Sequence, residues 1–419
     1  MNNTIKLAVA SALLAAASSA QAGISIPAGD WTLDIGGVVN AYYSYNKGES
    51  SANNASAATG ALTFSENAAG EDAQTTITTG LLPNYLSVSG KTRQNDLDVG
   101  FTISINPGAS TTRAGIQNQA ALGGNQENRQ AFLTFGDASW GSIKLGKDLG
   151  IYASDAILND MTLLGVGSGA GNLAGNTTTL GRIGTGFMYA DWKSQVAYSS
   201  PNWNGFSFTV GLTQGWNAVD SGYGLSSASV SRSGSQTAYE GKASYEWAGD
   251  FGGKVWASAI TQKVEDLVTI TGLQNDRATA WDIGATVNVA GFGLTGYYGD
   301  GDGIGQTLQL FDGFDATGKS RDSDQWYLQA TYTLPGVGTK LGASYGESTL
   351  DGNRFDKDFV GIKDVEDSMW TVGAYHPLTK HLNLVAEYSE SERDVDYTVG
   401  RNDKAKAKTI ARRYLILLV

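Results

Sequence analysis

Apolar and polar residues alternate with a period of two over most of this chain. Between Trp31 and Tyr45 the odd positions read Trp31, Leu33, Ile35, Gly37, Val39, Ala41 and Tyr43, and the even ones Thr32, Asp34, Gly36, Val38, Asn40, Tyr42 and Ser44. Between Asp96 and Asn106, Leu97, Val99, Phe101, Ile103 and Ile105 oppose Asp98, Gly100, Thr102, Ser104 and Asn106. The same reading recurs over Tyr239–Trp247, Trp281–Val289, Gln325–Leu334 and Leu382–Ser389. Strict alternation predicts strands with one face on lipid or a core and the other in water. A soluble β-sandwich gives the same pattern. The connections separate the two. Short ones fall near 92–95, 137–140, 201–205, 248–252, 290–291, 335–339 and 377–380; long polar ones near 46–80, 107–127, 148–185, 214–235, 264–276, 299–323, 347–365 and 390–405. Seven short turns and eight long loops predict about sixteen strands in an antiparallel transmembrane β-barrel. Aromatic residues at strand ends, among them Trp31, Tyr43, Trp203, Trp247, Trp281, Trp326 and Tyr388, suit interfacial girdles.

Residues 1–22 have the anatomy of a secretory signal: basic Lys6, an apolar run from Leu7 to Ala17, and the small-residue site Ala20-Gln21-Ala22. The mature barrel domain is expected to span 23–419. Removing Lys6 leaves 28 Lys and Arg against 41 Asp and Glu, a net charge of −13. That acidity argues against nucleic acid as a partner, because phosphate binding needs a basic surface. The absence of cysteine excludes disulfides and thiolate metal sites. No apolar run after the signal reaches the length of a spanning helix, and a closed barrel is the other structure that satisfies its backbone in lipid.

Catalytic chemistry has little to stand on. The two histidines, His376 and His381, fall at a short turn with no nucleophile and orienter beside them. Asp300-Gly301-Asp302-Gly303 lacks the downstream bidentate Glu of a calcium loop. No cofactor or metal is expected. The segment from Asp148 to Thr185 is rich in Gly, Asn and Thr and loses the alternation. A long irregular segment inside a compact fold is usually functional, and it is read here as a third outer loop folded back into the lumen, where it narrows the hole.

The residues around this loop carry a resemblance. Arg129-Gln130-Ala131-Phe132, then Gly136-Asp137 with Trp140-Gly141-Ser142-Ile143-Lys144-Leu145-Gly146-Lys147, the long loop, and Tyr198 through Ser200-Pro201, Trp203 and Gly205-Phe206 resemble the general diffusion porins of Gram-negative outer membranes. They are most similar to the trimeric beta-proteobacterial type. The resemblance implies a homotrimer in the outer membrane, in contact with the lipid bilayer and lipopolysaccharide, that passes small hydrophilic solutes and ions. It also implies a constriction in which loop acids face wall cations. The acids are Asp148, Asp155 and Asp160. The candidate cations are Arg93, Arg129, Lys144 and Lys147, with Arg182 at the far end of the loop. Lys144 has the better inward case, since Ile143 and Leu145 would take the lipid face.

One stretch departs from the family. Its members usually end on a strand with a terminal Phe; this chain ends Ile410-Ala411-Arg412-Arg413-Tyr414-Leu415-Ile416-Leu417-Leu418-Val419. Adjacent Arg412 and Arg413 must face opposite ways. The alternatives to a diffusion channel are a substrate-specific channel for a sugar or organic acid, a barrel enzyme, and a soluble exported sandwich. The acids of the outer loops, at Asp300, Asp302, Asp312, Asp315, Asp322, Asp324 and across Asp351–Asp367, are expected to line the mouth and favour cations at low salt. Inward wall cations, acting at closer range, would oppose them.

Overall fold

The computed structural model describes residues 24–50, 72–109, 126–172, 178–221, 225–230, 236–400 and 402–416. The segment read as an export signal lies outside the described residues, as do the middles of the first two long connections.

Sixteen antiparallel strands make one closed wall. They are β1 (Trp31–Ser50), β2 (Tyr85–Gln94), β3 (Leu97–Pro107), β4 (Ala131–Asp137), β5 (Gly141–Leu149), β6 (Trp192–Ser199), β7 (Phe206–Gln214) and β8 (Thr237–Trp247). Then follow β9 (Phe251–Thr269), β10 (Gly272–Val289), β11 (Phe292–Asp302), β12 (Asp322–Thr333), β13 (Lys340–Asp351), β14 (Ile362–Thr379), β15 (Leu382–Tyr397) and β16 (Asn402–Ile416). Each pairs with the next, and β16 pairs with β1 from Val39↔Ile416 to Ser50↔Ala405, which closes the ring. A short strand, Ile24–Ala28, takes the edge of β1 below the reach of β16. Another, Ala73–Thr78, pairs with the outer half of β1.

The alternation becomes two faces. On β1, Val39, Tyr43 and Tyr45 are exposed while Asn40, Tyr42, Ser44 and Asn46 are buried. On β10, Trp281 and Ile283 are exposed while Ala280 and Asp282 are buried. The outer face is therefore apolar and the inner one polar or small, as a wall between lipid and a wet lumen requires. Aromatic pairs mark two levels on the outside. Trp281–Tyr298, Trp326–Tyr345 and Trp370–Tyr388 have ring centroids 5.8, 5.4 and 5.0 Å apart towards the long loops. Phe292–Tyr332, at 4.3 Å, and Tyr245–Trp247 lie near the short turns. Such pairs contribute about 0.5–1.5 kcal/mol each beyond burial.

Two connections differ from the expectation. The segments read as long loops at 264–276 and 390–405 are largely strand: the β9–β10 ladder continues to Thr269↔Gly272, and β15–β16 to Asp396↔Asn402. The second hairpin is charged yet regular because Lys404 and Lys406, facing outward, alternate with buried Ala405 and Ala407 and pair with Glu390, Glu392 and Asp394 of β15. Lys408 reaches across the seam to Glu49 of β1, at 2.7 Å. Strand parity also moves most of the mouth acids. Asp300 and Asp302 share the outer face of Tyr298, Asp322 and Asp324 that of Trp326, and Asp364 and Glu366 that of Trp370. They stand above the upper aromatic level on the outside of the wall, not around the opening. Arg412 is exposed on the outer face, opposite Tyr43 and Ala386; the side chain of Arg413 lies outside the described residues.

The face assignment is testable on one strand. Leu328 is exposed on the outer face of β12 between Trp326 and Tyr332, whereas Thr331 faces the lumen. Leu328→Arg is expected to destabilise the folded barrel by about 2–4 kcal/mol and Thr331→Arg by less than about 1 kcal/mol. Reversible urea unfolding in lipid vesicles measures both; equal losses would mean that the faces are misassigned.

Candidate functional site

Residues 150–191 connect β5 to β6, and the described ones, 150–172 and 178–191, run inside the wall. Its own secondary structure comes in short pieces, a helix, a 3-10 turn at Met161–Leu164 and a small hairpin of Ser168–Asn172 with Thr179–Gly181, so many of its buried peptide groups need partners from elsewhere. The wall supplies them. The N–H groups of Ile151 and Tyr152 both donate to Glu240 Oε2 of β8, at 2.8 Å each. The other carboxylate oxygen of Glu240 accepts from Lys193 Nζ and Thr213 Oγ1, at 2.7 Å each. A short helix, α1 (Ser154–Asn159), follows, entered through Ala153 in the left-handed region at φ 61°. Tyr327 of β12 donates to Ala156 O at 2.9 Å. Gln329 spans the next turn, donating to Asn159 O at 3.0 Å and accepting from Met161 N at 2.6 Å. Tyr42 of β1 donates to Leu164 O at 2.7 Å.

Beyond the helix, Val166 N and Gly167 N donate to Glu387 of β15, at 2.8 and 3.3 Å. A Cβ at Gly165 would lie 1.6 Å from Glu387 Oε2, so a larger residue there would push this carboxylate aside. On the return leg, fully buried Arg182 donates to Met369 O at 2.9 Å and Ser344 Oγ at 2.5 Å. Gly186 N donates to Ser348 Oγ at 3.0 Å. The loop is thus latched to the wall from β8 round to β1. An apolar patch of Ala156, Ile157, Ile183 and Phe187 against Trp256, Tyr297 and Tyr327 backs these bonds.

Among the expected constriction residues, Asp155 is the loop acid that meets wall cations. It bonds Lys242 of β8 at 3.0 Å and Lys254 of β9 at 2.5 Å. Burial pushes its carboxyl up, but the two lysines outweigh that and hold it below its ordinary value. Asp160 accepts from Thr162 N and stands 3.9 Å from Arg182 of the same loop. Burial raises the carboxyl of Asp160 and lowers the guanidinium of Arg182, so for this pair desolvation exceeds the mutual attraction. Asp148 is buried at the end of β5, where it accepts from Gln130 and Lys144. Lys144 faces inward, its ammonium 4.9 Å from the Phe132 ring centroid. Arg129 is buried beside Glu127, at 3.0 Å, and Trp192.

The remaining two are away from the loop. Arg93 lies at a short turn, 2.8 Å from both Asp98 and Asp137. Lys147 shares the outward parity of Ile143 and Leu145, and its Nζ donates to Asn128 O at 2.8 Å. Lys242, Lys254, Glu240 and Glu387 were missing from the expected set. For Lys242, Glu240 and Glu387 the signal was present, since each is a charged residue on the polar face of an alternating strand; Lys254 shares its face with Trp256 and Ile260 and carried no such signal.

A second loop also folds inward. Residues 303–321 rest on the first, with Gln309 Nε2 donating to Tyr189 O at 3.0 Å, while Gln309 Oε1 accepts from Lys193 Nζ of β6 at 2.6 Å. The second loop is clasped to its neighbours through its own fully buried Arg321, which donates twice to Asp356, at 2.7 Å each, and to Ser227 Oγ and Asp312 O. No group of side chains suited to a metal ion occurs among the described residues. His376 Nδ1 lies 2.9 Å from Thr339 Oγ1 at a short turn.

The family model for Gram-negative porins matches residues 8–396. The chain belongs to that family. This porin is similar in fold to the outer membrane channel DcaP of Acinetobacter baumannii, with 16% identity over 94% of this chain and 100% of that one, at a TM-score of 0.59. It is also similar to OmpF of Salmonella typhi, with 17% identity over 93% and 100% of the two chains and a TM-score of 0.55. A third is OmpT of Vibrio cholerae, at 13% identity, 93% and 99% coverage and a TM-score of 0.55. No curated protein sequence matches the chain. The fold and family place this porin in the outer membrane as a diffusion channel, and they do not favour a substrate-specific one.

Two predictions follow from this geometry. Asp155→Asn leaves Lys242 and Lys254 facing the lumen with one negative charge fewer, so the reversal potential across a KCl gradient is expected to move towards chloride; an unchanged potential would place Asp155 off the ion path. Arg321→Met strands Asp356 in a buried site, at a cost of about 3–5 kcal/mol. That loss should fall on the outer loops, because the strand ladder does not pass through the clasp. Limited proteolysis is expected to cut within 303–321 while the heat-modifiable barrel band persists in gels.

Proposed function

We propose that solutes and ions cross this porin through a lumen whose width is set by the loop at 150–191, and that Asp155, Lys242 and Lys254 are the principal fixed charges at the narrowing. The observation that carries this is the circumferential latching of the loop. A segment held by Glu240, Tyr327, Gln329, Glu387 and Tyr42 on different parts of the wall keeps its place while solute passes. Asp148, Asp160 and Arg182 then position the loop, and Lys144 with Arg129 borders the passage from the β4–β6 side. Selection is by size and by charges opposed across the gap.

The working unit is a homotrimer, a reading that rests on the family resemblance and on the prevalence of closed cyclic symmetry among homo-oligomers. Contact with lipopolysaccharide is supported by the charged outer face above the upper aromatic level, which stands at headgroup height. The protein catalyses no reaction in this reading, since the histidines sit at a short turn, where His376 is bonded to the Thr339 hydroxyl, away from the narrowing of the lumen.

Purified protein tests all of this together. It is expected to run as an SDS-resistant trimer until boiled, to give stepwise conductance in planar bilayers, and to pass uncharged sugars into liposomes at rates that fall with sugar size. A folded barrel that leaves bilayers silent would overturn the channel reading; a monomer in unboiled mild detergent would overturn the trimer alone.

A further inference from the structure

Beneath the constriction loop lies a polar vestibule of about 550 Å³. Its roof is the underside of the loop at Leu158–Asn159 and Met161, and its walls are the short-turn ends of β10 to β13, including Asn288, Thr331, Thr333 and Lys340. Lys340 opens β13 on the inward face shared with Gly342 and Ser344, residues that abut Met161 and Arg182 of the loop. Its ammonium stands 5.5 Å from the ring centroid of Tyr375, itself buried on the inner face of β14.

Charge pairing sets Lys340 apart. The other lumen-facing cations described above, on wall and loop alike, each have a carboxylate within ion-pair reach. Among the described residues Lys340 has none. Two acids border the vestibule. Asp160 is bonded to Thr162 and faced by Arg182; Asp250 sits at the exposed β8–β9 turn, at the opening. Neither is within ion-pair reach of Lys340. An uncompensated ammonium in a half-enclosed space acts more strongly than one in bulk water, because the effective dielectric is lower. The Tyr375 ring offsets only part of its lost hydration.

We propose that this vestibule is an anion subsite on the permeation path. Lys340 supplies the charge, and the Thr331 and Thr333 hydroxyls with the Asn288 amide supply hydrogen bonds to a small oxyanion, either a carboxylate or a phosphate. The subsite holds such solutes weakly and briefly, so that they pass below the loop more readily than their charge would allow against the acidic exterior. The inference rests on the diffusion-channel reading and adds to it a residue that sets which ions dwell inside.

The test is single-channel conductance in KCl with inorganic phosphate, and in a separate series succinate, titrated from the short-turn side. Wild type is expected to show saturable reduction of the KCl current, weakening as ionic strength rises. Lys340→Gln is expected to weaken that block by about tenfold or more, the loss of one charge-assisted hydrogen bond, while Lys340→Arg retains it. Block by phosphate alone, or by succinate alone, identifies which oxyanion the site takes. Equal block in wild type and Lys340→Gln, or a conducting wild-type channel that neither anion blocks, would overturn the proposal. A wild-type protein that does not conduct would overturn the channel reading instead. Unboiled gel migration of the Gln variant confirms that it is folded.

Discussion

A peptide group in the hydrocarbon of a membrane has no water to bond, and leaving one unpaired costs several kcal/mol. A sheet that crosses lipid therefore cannot keep an edge. In this porin the constraint is met at the β1–β16 seam, where the last strand pairs with the first from Val39↔Ile416 to Ser50↔Ala405 and the short strand Ile24–Ala28 covers the start of β1. The rest of the architecture depends on that closure. Once the ring is closed, each strand has one face towards lipid and one towards the lumen, and sequence parity alone decides which way a residue points. Strands can also rise above the membrane without penalty, provided their neighbours rise with them. That is how β15 and β16 carry a charged ladder on the outside.

The same demand, applied to irregular chain, explains the loop. A segment folded into the lumen loses water on most sides and has few peptide partners of its own. Glu240 and Glu387 each take two adjacent loop N–H groups, a carboxylate cradled by successive amides. Gln329 and Tyr327, on the stretch of wall between those two glutamates, serve loop carbonyls. The loop's path is thus written in the inward residues of the wall as much as in the loop itself. Removing one such partner leaves buried polar groups unsatisfied, which is costlier than the bond was worth.

This division of labour governs what could be read from the sequence. The period of two is local, so strand number, barrel closure and the existence of the third loop were legible. Lys144 was legible too, because Ile143 and Leu145 beside it take the outer face. The partners of Asp155 were not. Lys242 and Lys254 lie 87 and 99 residues further on, and nothing in their spacing says that two strands bring them to the same acid. The hairpins at 264–276 and 390–405 were misread because charge was taken as a mark of irregular chain. Lys404-Ala405-Lys406-Ala407-Lys408 is in fact an alternating strand whose polar face happens to be the outer one. The inward fold of 303–321 had no periodic signature at all. It depends on tertiary bonds such as the fully buried Arg321–Asp356 pair.

Parity also changes the argument about ions. Counting charges along the chain puts a large negative excess at the outer end and suggests an acidic mouth. Placing the same residues on their strands turns Asp300, Asp302, Asp322, Asp324, Asp364 and Glu366 away from the opening. Of the other expected mouth acids, Asp312 accepts from Ser221 and Ser227 of a neighbouring segment, Asp315 is tied up in a loop turn, Asp356 in the Arg321 clasp, and Asp367 pairs inward with Arg393 at 2.6 Å. A carboxylate outside the wall acts on the lumen across the barrel and through salt that screens it within about 10 Å at 0.1 M. Charges in the narrow, partly dehydrated interior are screened far less. Net charge therefore describes how this protein meets its membrane, while on the proposals above the preference of its channel follows from the few interior charges and from which of them lack a partner.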